Sequence, residues 1–205
     1  SAFDKDISGW NTSNVTDMIY MFAFTSDFNK DISSWNTSNV TSMGYMFYNS
    51  PVFDQNISSW NTSNVRNMGS MFRGTSVFNN GGQPLTWNTS NVTTMSVMFS
   101  RTSVFNIDIS GWDTSNVVYI NYMFSNAVGF NQPGIGDWDF TNVGGSAFEF
   151  FITLSGMDPD TYSLFLQKLA ANTTLQDNLI HGVTGEIRFD NAATNAAWDT
   201  LTRPV

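Results

Sequence analysis

The sequence contains no cysteine and a single histidine, His181, in 205 residues. Without thiols there is no disulfide framework and no thiolate nucleophile. One imidazole does not make a transition-metal site or a His-based proton relay. Charge is also scarce: Asp, Glu, Lys and Arg together make 12 % of the chain, against roughly a quarter in ordinary globular domains. Basic residues are the rarest part, 8 Lys and Arg against 17 Asp and Glu, for a net charge of −9. Nucleic acid and anionic membrane surfaces are therefore poor partners. No apolar run approaches the roughly 18 residues of a membrane span, so direct membrane insertion is not expected. The opening Ser-Ala-Phe-Asp-Lys-Asp has no apolar signal core, and it begins part-way through a pattern that recurs downstream. The chain therefore reads as cut from a longer protein, or as having its first unit covered by a partner. Glu149 and Glu186 are the only glutamates, and Gly81-Gly82 and Gly144-Gly145 are single pairs outside any phosphate-loop context. A hydrolase, the third function class considered, would need a convergent acid pair that is not visible.

What is abundant is aromatic: 15 % Phe, Trp and Tyr, with 10 Met, a composition foreign to a disordered chain. The excess has one source. Trp-Asn-Thr-Ser-Asn-Val occurs at Trp10, Trp35, Trp60 and Trp87, and is varied slightly at Trp112 and Trp138, in steps of 25, 25, 27, 25 and 26 residues. Val follows each Trp by five positions, from Val15 to Val143. A Met-Phe pair recurs at Met21-Phe22, Met46-Phe47, Met71-Phe72, Met98-Phe99 and Met123-Phe124. The next unit then opens on Phe28, Phe53, Phe78, Phe105 or Phe130, always 18 residues beyond the preceding Trp. All length variation falls between that Phe and its own Trp, chiefly in an insert at residues 79–84 rich in Asn, Gly and Pro, where a loop tolerates change.

A period near 25 with one short strand per unit lies in the leucine-rich-repeat range. Asp-Ile-Ser-x-Trp reads as the strand, Asn-Thr-Ser-Asn as a turn, and Val-x-x-Met-x-x-Met-Phe as one or two helical turns with a buried face. The predicted fold class is α/β: a right-handed leucine-rich-repeat-like solenoid with a short parallel sheet, short helices on the other side, and a C-terminal helical cap. Six units over residues 1–150 form the stack, and one unit cannot bury its apolar set alone. Ser146 and Glu149 interrupt the Met-Phe pattern and mark its end. Residues 151–205 are read as the cap within the same domain. Asp158-Pro159-Asp160 starts a helix with Tyr162, Phe165, Leu166, Leu169 and Ala170 on one face. A last strand or strand pair is expected over residues 182–189, and a second helix after Asp190 or Asn191.

The pattern Phe-Asn-x-Asp-Ile-Ser-x-Trp-Asn-Thr-Ser-Asn-Val-Thr-x-Met-x-x-Met-Phe, as it stands at residues 28–47, resembles the bacterial surface-protein repeat of unknown function that is grouped with BspA-type leucine-rich repeats. The likeness extends over residues 3–150. It implies a cell-wall-anchored or lipid-anchored surface protein serving adhesion or host contact, and brings no enzymatic residues with it.

Candidate binding residues follow from the strand reading. If Ile points inward, period two sets columns of acid or amide, hydroxyl and indole outward: Asp6, Ser8 and Trp10; Asp31, Ser33 and Trp35; Asn56, Ser58 and Trp60; Asp108, Ser110 and Trp112. Flat rings flanked by carboxylates and hydroxyls suit a sugar chain or an extended peptide. In the opposing reading Gly9, Ser34, Ser59 and Gly111 let the chain turn, and the Trp residues are core. Asn80 and Gln83, in the insert, complete the candidate set. The Asp column either holds calcium between units or is a solvated edge; no other cofactor or metal is expected. The Thr12, Thr37, Thr62, Thr89 and Thr114 column is either bonded within its turns or an ice-binding ladder. The expected function is an extracellular, non-enzymatic binding or adhesion module for a cell-surface glycan or protein, within a longer protein that allows homo-oligomers. The alternative is a structural spacer or the tip domain of a phage or bacterial fibre.

Overall fold

The computed structural model describes residues 2–144 and 151–173. Successive 25-residue units lie directly on one another, and the repeated motif is used up in joining them. From Trp35 to Trp138 the repeat indole donates to a carbonyl one unit back: Trp35 to Ile7, Trp60 to Ile32, Trp87 to Ile57, Trp112 to Leu85 and Trp138 to Ile109, at 2.9–3.3 Å. Each Thr of Asn-Thr-Ser-Asn donates one unit forward, from Thr12 to the Asn36 carbonyl and so on to Thr114 and Asp139. The second Asn reaches back again, from Asn39 to the Ser13 carbonyl up to Asn142 and Ser115. The first Asn, or its Asp replacement, accepts the N–H two residues on, a turn that short polar side chains close on their own backbone.

The expected sheet does not form. Among the described residues there is no continuous strand, only single parallel bridges running Asp17 to Ser42, Asn67, Thr94 and Tyr119. They fall between the Val and the first Met, and not at Asp-Ile-Ser-x-Trp. The segment expected to be extended is instead folded back: Trp10 N–H donates to Ile7, Trp35 to Ile32, Trp60 to Ile57 and Trp112 to Ile109. The cause is local. The Asp or Asn side chain accepts the Ser N–H two residues later and bends the chain before it can pair as a strand.

The expected short helices on the other side are absent too. Through Met-x-x-Met-Phe the amides alternate in direction. Met21 and Ala23 donate within the unit to Met18 and Tyr20, while Met18, Tyr20, Phe22 and Phe24 donate to Ser42, Gly44, Met46 and Tyr48 of the next. The pattern recurs in the following units and ends with Phe124 and Asn126 donating to Phe151 and Thr153. A helix would spend every N–H within itself; here half are given to the neighbour. That geometry needs a left-handed residue twice per unit, at Tyr20 and Phe24, Tyr45 and Asn49, Ser70 and Gly74, Val97 and Arg101, Tyr122 and Asn126. Only one of these is glycine, although a non-glycine residue here costs about 1–2 kcal/mol. The inter-unit bonds hold the chain there.

The interior is columns of like residues. Phe28, Phe53, Phe78, Phe105 and Phe130 stack at 6.1–6.2 Å. Phe22, Phe47, Phe72, Phe99 and Phe124 stack at 5.5–5.8 Å. The Val and Met columns between them are fully buried from Val40 and Met43 to Val117 and Ile120. Ring spacing is 4.5 Å at Tyr20–Tyr45, beside the direct backbone bonds, and 6.2–6.5 Å in the Trp column. The stack is drawn together where backbone meets backbone and held wider where side chains bridge.

Two short 3₁₀ turns, Asn80–Gly82 and Pro133–Asp137, mark the units with extra residues. The first is left-handed at all three positions, with φ of 52°, 59° and 74°. The expected helix is present as α1, Pro159–Ala171. Asp158 caps it by accepting Thr161 N–H at 2.8 Å, and Tyr162, Phe165, Leu166 and Leu169 are buried. Lys168 pairs with Asp137, and Asn172 donates to the Gly136 and Trp138 carbonyls, so α1 is tied to the last Trp turn. Ser146, Glu149, His181, Glu186, the expected strand at residues 182–189 and the second helix lie outside the described residues.

Candidate ligand-binding face

The columns expected to face outward are divided by the structure. Trp35, Trp60 and Trp112 are in the core, at 3–5 % exposure, and only Trp10 is open, at 54 %. The indoles form no outer platform, because each needs a carbonyl of the preceding unit for its N–H. Asp6, Asp31, Asn56 and Asp108 are exposed, but one oxygen of each accepts the N–H of Ser8, Ser33, Ser58 or Ser110. These amide hydrogen bonds hold the Asp6, Asp31 and Asp108 carboxyls below their ordinary range. Among the described residues no three acidic or histidine side chains come together to hold a metal, and the Asp column gives one committed carboxylate per unit where calcium takes six to eight oxygens.

Ser58, Asn80 and Gln83 are brought together, as architecture. Asn80 is fully buried; its amide oxygen accepts Ile57 N–H at 2.8 Å, and its amide nitrogen donates to Ser58 Oγ and the Gln83 carbonyl. The Thr column is likewise interior, with Thr12, Thr37, Thr62, Thr89 and Thr114 at 3 % exposure or less, and offers no ladder to solvent.

A different face is lined by side chains that differ from unit to unit. A groove of about 430 Å³ opens between Tyr45, Ser70, Arg73, Val97, Arg101 and Tyr122, with Ser100, Ser125 and Asn126 also lining it; Ser70, Ser100 and Ser125 are buried at its floor. Tyr20 stacks on Tyr45, and Tyr48 stands edge-on to Tyr45 at 5.7 Å. Arg73 lies over the Tyr48 ring, 5.1 Å from its centre, and donates to the Tyr48 hydroxyl at 2.6 Å. This contact fixes the guanidinium while leaving its other donors available. Among the described residues the ion pairs are Lys30–Asp4 and Lys168–Asp137, and neither Arg73 nor Arg101 belongs to one.

This face was missed because its residues look like noise in the repeat. They occupy positions 10, 13 and 14 after each Trp, filled by Tyr, Tyr, Ser, Val, Tyr, then Ala, Tyr, Arg, Ser, Ser, then Phe, Asn, Gly, Arg, Asn. Variation inside an otherwise constant unit was the available signal: a scaffold position repeats, and a surface position is free to differ.

A stack of short units, with its hydrogen-bonding groups spent on neighbours and one variable face left over, defines a repeat protein. The particular kind follows from comparison of its sequence: the chain belongs to the family described as Mycoplasma protein of unknown function, DUF285, which matches residues 1–84 and again 82–158. The two matches meet in the insert at residues 79–84, where the Asn80–Gly82 turn lies. No curated protein and no solved structure matches the chain.

Proposed function

We propose that the chain is a non-enzymatic binding module of a surface protein, adhering to a cell-surface glycan or protein through the Tyr/Arg groove. One observation carries this reading. Most polar groups that the repeat motif supplies are committed to hydrogen bonds within or between units, while the groove presents aromatic rings, hydroxyls and two arginines that belong to no ion pair among the described residues. Resemblance to the surface-protein repeats grouped with BspA-type leucine-rich repeats supports an extracellular setting.

The test is adhesion of the labelled protein to a panel of intact cells, measured by flow cytometry for the unaltered chain and for Tyr122→Ala and Arg101→Gln. Loss of adhesion in both variants with unchanged thermal melting supports the groove. Adhesion that ignores both substitutions refutes it. A structural spacer or fibre segment is the second reading, favoured by the inter-unit bonding that repeats without change along the stack; absence of adhesion to every cell type tested would select it.

A further inference from the structure

We propose that the groove takes an acidic saccharide, a sugar chain bearing carboxylate or sulfate, with Arg101 and Arg73 receiving the anion and Tyr45 and Tyr122 flanking the sugar rings. This rests on the binding-module reading above and names its ligand class.

Three observations converge. The first is backbone accounting. Peptides are commonly captured by adding a strand to a free edge, but along this face the amides are already given away. Tyr45 donates to Gly69, Ser70 to Ser96, Val97 to Asn121 and Arg101 to Ser125. A ligand must therefore be held by side chains, and the side chains present are flat rings, hydroxyls and guanidinium groups. Aromatic plates with a few placed polar groups suit sugar rings.

The second is the segregation of charge. The protein carries −9 overall, yet the three variable positions that make this face hold no carboxylate in any of the five units and hold two arginines. The acids sit elsewhere in the unit, at the Asp6, Asp31 and Asp108 turns and at Asp113 and Asp139 after the Trp. A neutral sugar would not call for two guanidinium groups that no carboxylate among the described residues neutralises. An anion does, since Arg presents several donors in the planar array that matches carboxylate or sulfate.

The third is preorganisation. Arg73 is anchored on Tyr48, and Arg101 leaves a left-handed backbone position whose N–H is fixed to Ser125. The ordering cost on binding is thereby lowered for Arg73, while the exposed Arg101 side chain is ordered by the ligand from a fixed backbone. The groove volume, about 430 Å³, lies in the small-ligand range of roughly 300–1,000 Å³ and fits a short stretch of saccharide.

The experiment is isothermal titration of the whole chain with a heparin-derived tetrasaccharide, a hyaluronan-derived tetrasaccharide, sialyl-lactose, lactose, and an Asp/Glu-rich peptide. The expected result is binding of at least one acidic saccharide that weakens with added salt, with lactose weaker by about tenfold or more, the scale of one charge-assisted bond. Arg101→Gln removes this preference and Arg101→Lys reduces it, while Arg66→Gln, outside the groove, leaves it intact; melting curves exclude unfolding as the cause. Equal binding of lactose and acidic saccharides, or of the peptide alone, overturns the ligand class. If those ligands still depend on Tyr122 and Arg101, the binding-module reading survives. If no probe binds and adhesion to cells is also insensitive to Arg101 and Tyr122, both fall.

Discussion

Replacing Trp60 by Phe and, separately, Trp10 by Phe makes the same chemical change at the same motif position with different expected costs. Trp60 is 3 % exposed, donates to the Ile32 carbonyl at 3.0 Å, and lies against Phe47 and Trp87. Phe in its place leaves that buried carbonyl without its donor, at about 1–3 kcal/mol. The smaller ring also leaves a gap beside Phe47 and Trp87, at about 1 kcal/mol or more. The expected total is roughly 2–4 kcal/mol. Trp10 is 54 % exposed, and its unit has no described unit before it to accept the indole N–H. Its replacement is expected to stay within about 0.5 kcal/mol, as for an ordinary surface change. The assay is urea unfolding followed by far-ultraviolet circular dichroism, which leaves the altered fluorophore out of the signal, comparing midpoints at matched slopes. Equal losses at the two sites, or a Trp60→Phe cost below about 1 kcal/mol, would refute the view that the indole bond to the preceding unit holds the stack.

Other expectations follow from the same bonds. Val97 is a β-branched residue held at φ 61°, so Val97→Gly relieves about 1–2 kcal/mol of strain against about 0.5–1 kcal/mol of added chain entropy; a small rise in melting temperature is expected, and a fall would count against it. Gly156→Ala places a methyl 2.1 Å from the Val128 carbonyl oxygen at the link between the repeats and α1, and is expected to cost about 1–3 kcal/mol in urea unfolding. Thr62→Val keeps the shape but removes the donor to the Asn88 carbonyl, for an expected loss of about 1–2 kcal/mol by the same assay. Asp31 and Asp108 are held below the ordinary 3.8 by the Ser33 and Ser110 amides. Their stabilisation is present above that pH and is lost as pH falls through the lower folded values. Asn at both positions, already the residue at Asn56 with the same bond, should lessen the acid sensitivity of a pH-dependent melt; an unchanged acid limb would dismiss these turns as its cause.

The period, the buried Val, Met and Phe columns and the start of α1 could be read from spacing alone, because a residue recurring every 25 positions on an apolar face has no other use. The strand could not. Period two in Asp-Ile-Ser-x-Trp is a real pattern, but the Asp and Ser that make it alternate also close a turn, and the local hydrogen bond wins over pairing at this length. The helical spacing of Met-x-x-Met-Phe misled for a related reason. Residues three apart face inward in successive turns as well as in a helix, and nothing in Tyr20, Tyr45, Ser70 or Val97 signals a left-handed backbone. The candidate site was misplaced because constancy drew attention to the Trp, Asp and Ser columns, which are constant to serve the stack. Tyr45, Arg73 and Arg101 vary because no bond that recurs at every junction depends on their side chains; the Tyr20–Tyr45 and Tyr48–Arg73 contacts each occur at one junction.

The forward bond from each Thr and the backward bonds from each Trp and second Asn have a consequence for inheritance. Because the same set crosses most junctions between units, a junction hardly distinguishes which copy lies on either side. A duplication or deletion of one whole period therefore exchanges one equivalent seam for another, and array length can change in a single genetic event without redesign of the core. The variable residues at positions 10, 13 and 14 travel with their unit, so the same event also reorders the face that carries them.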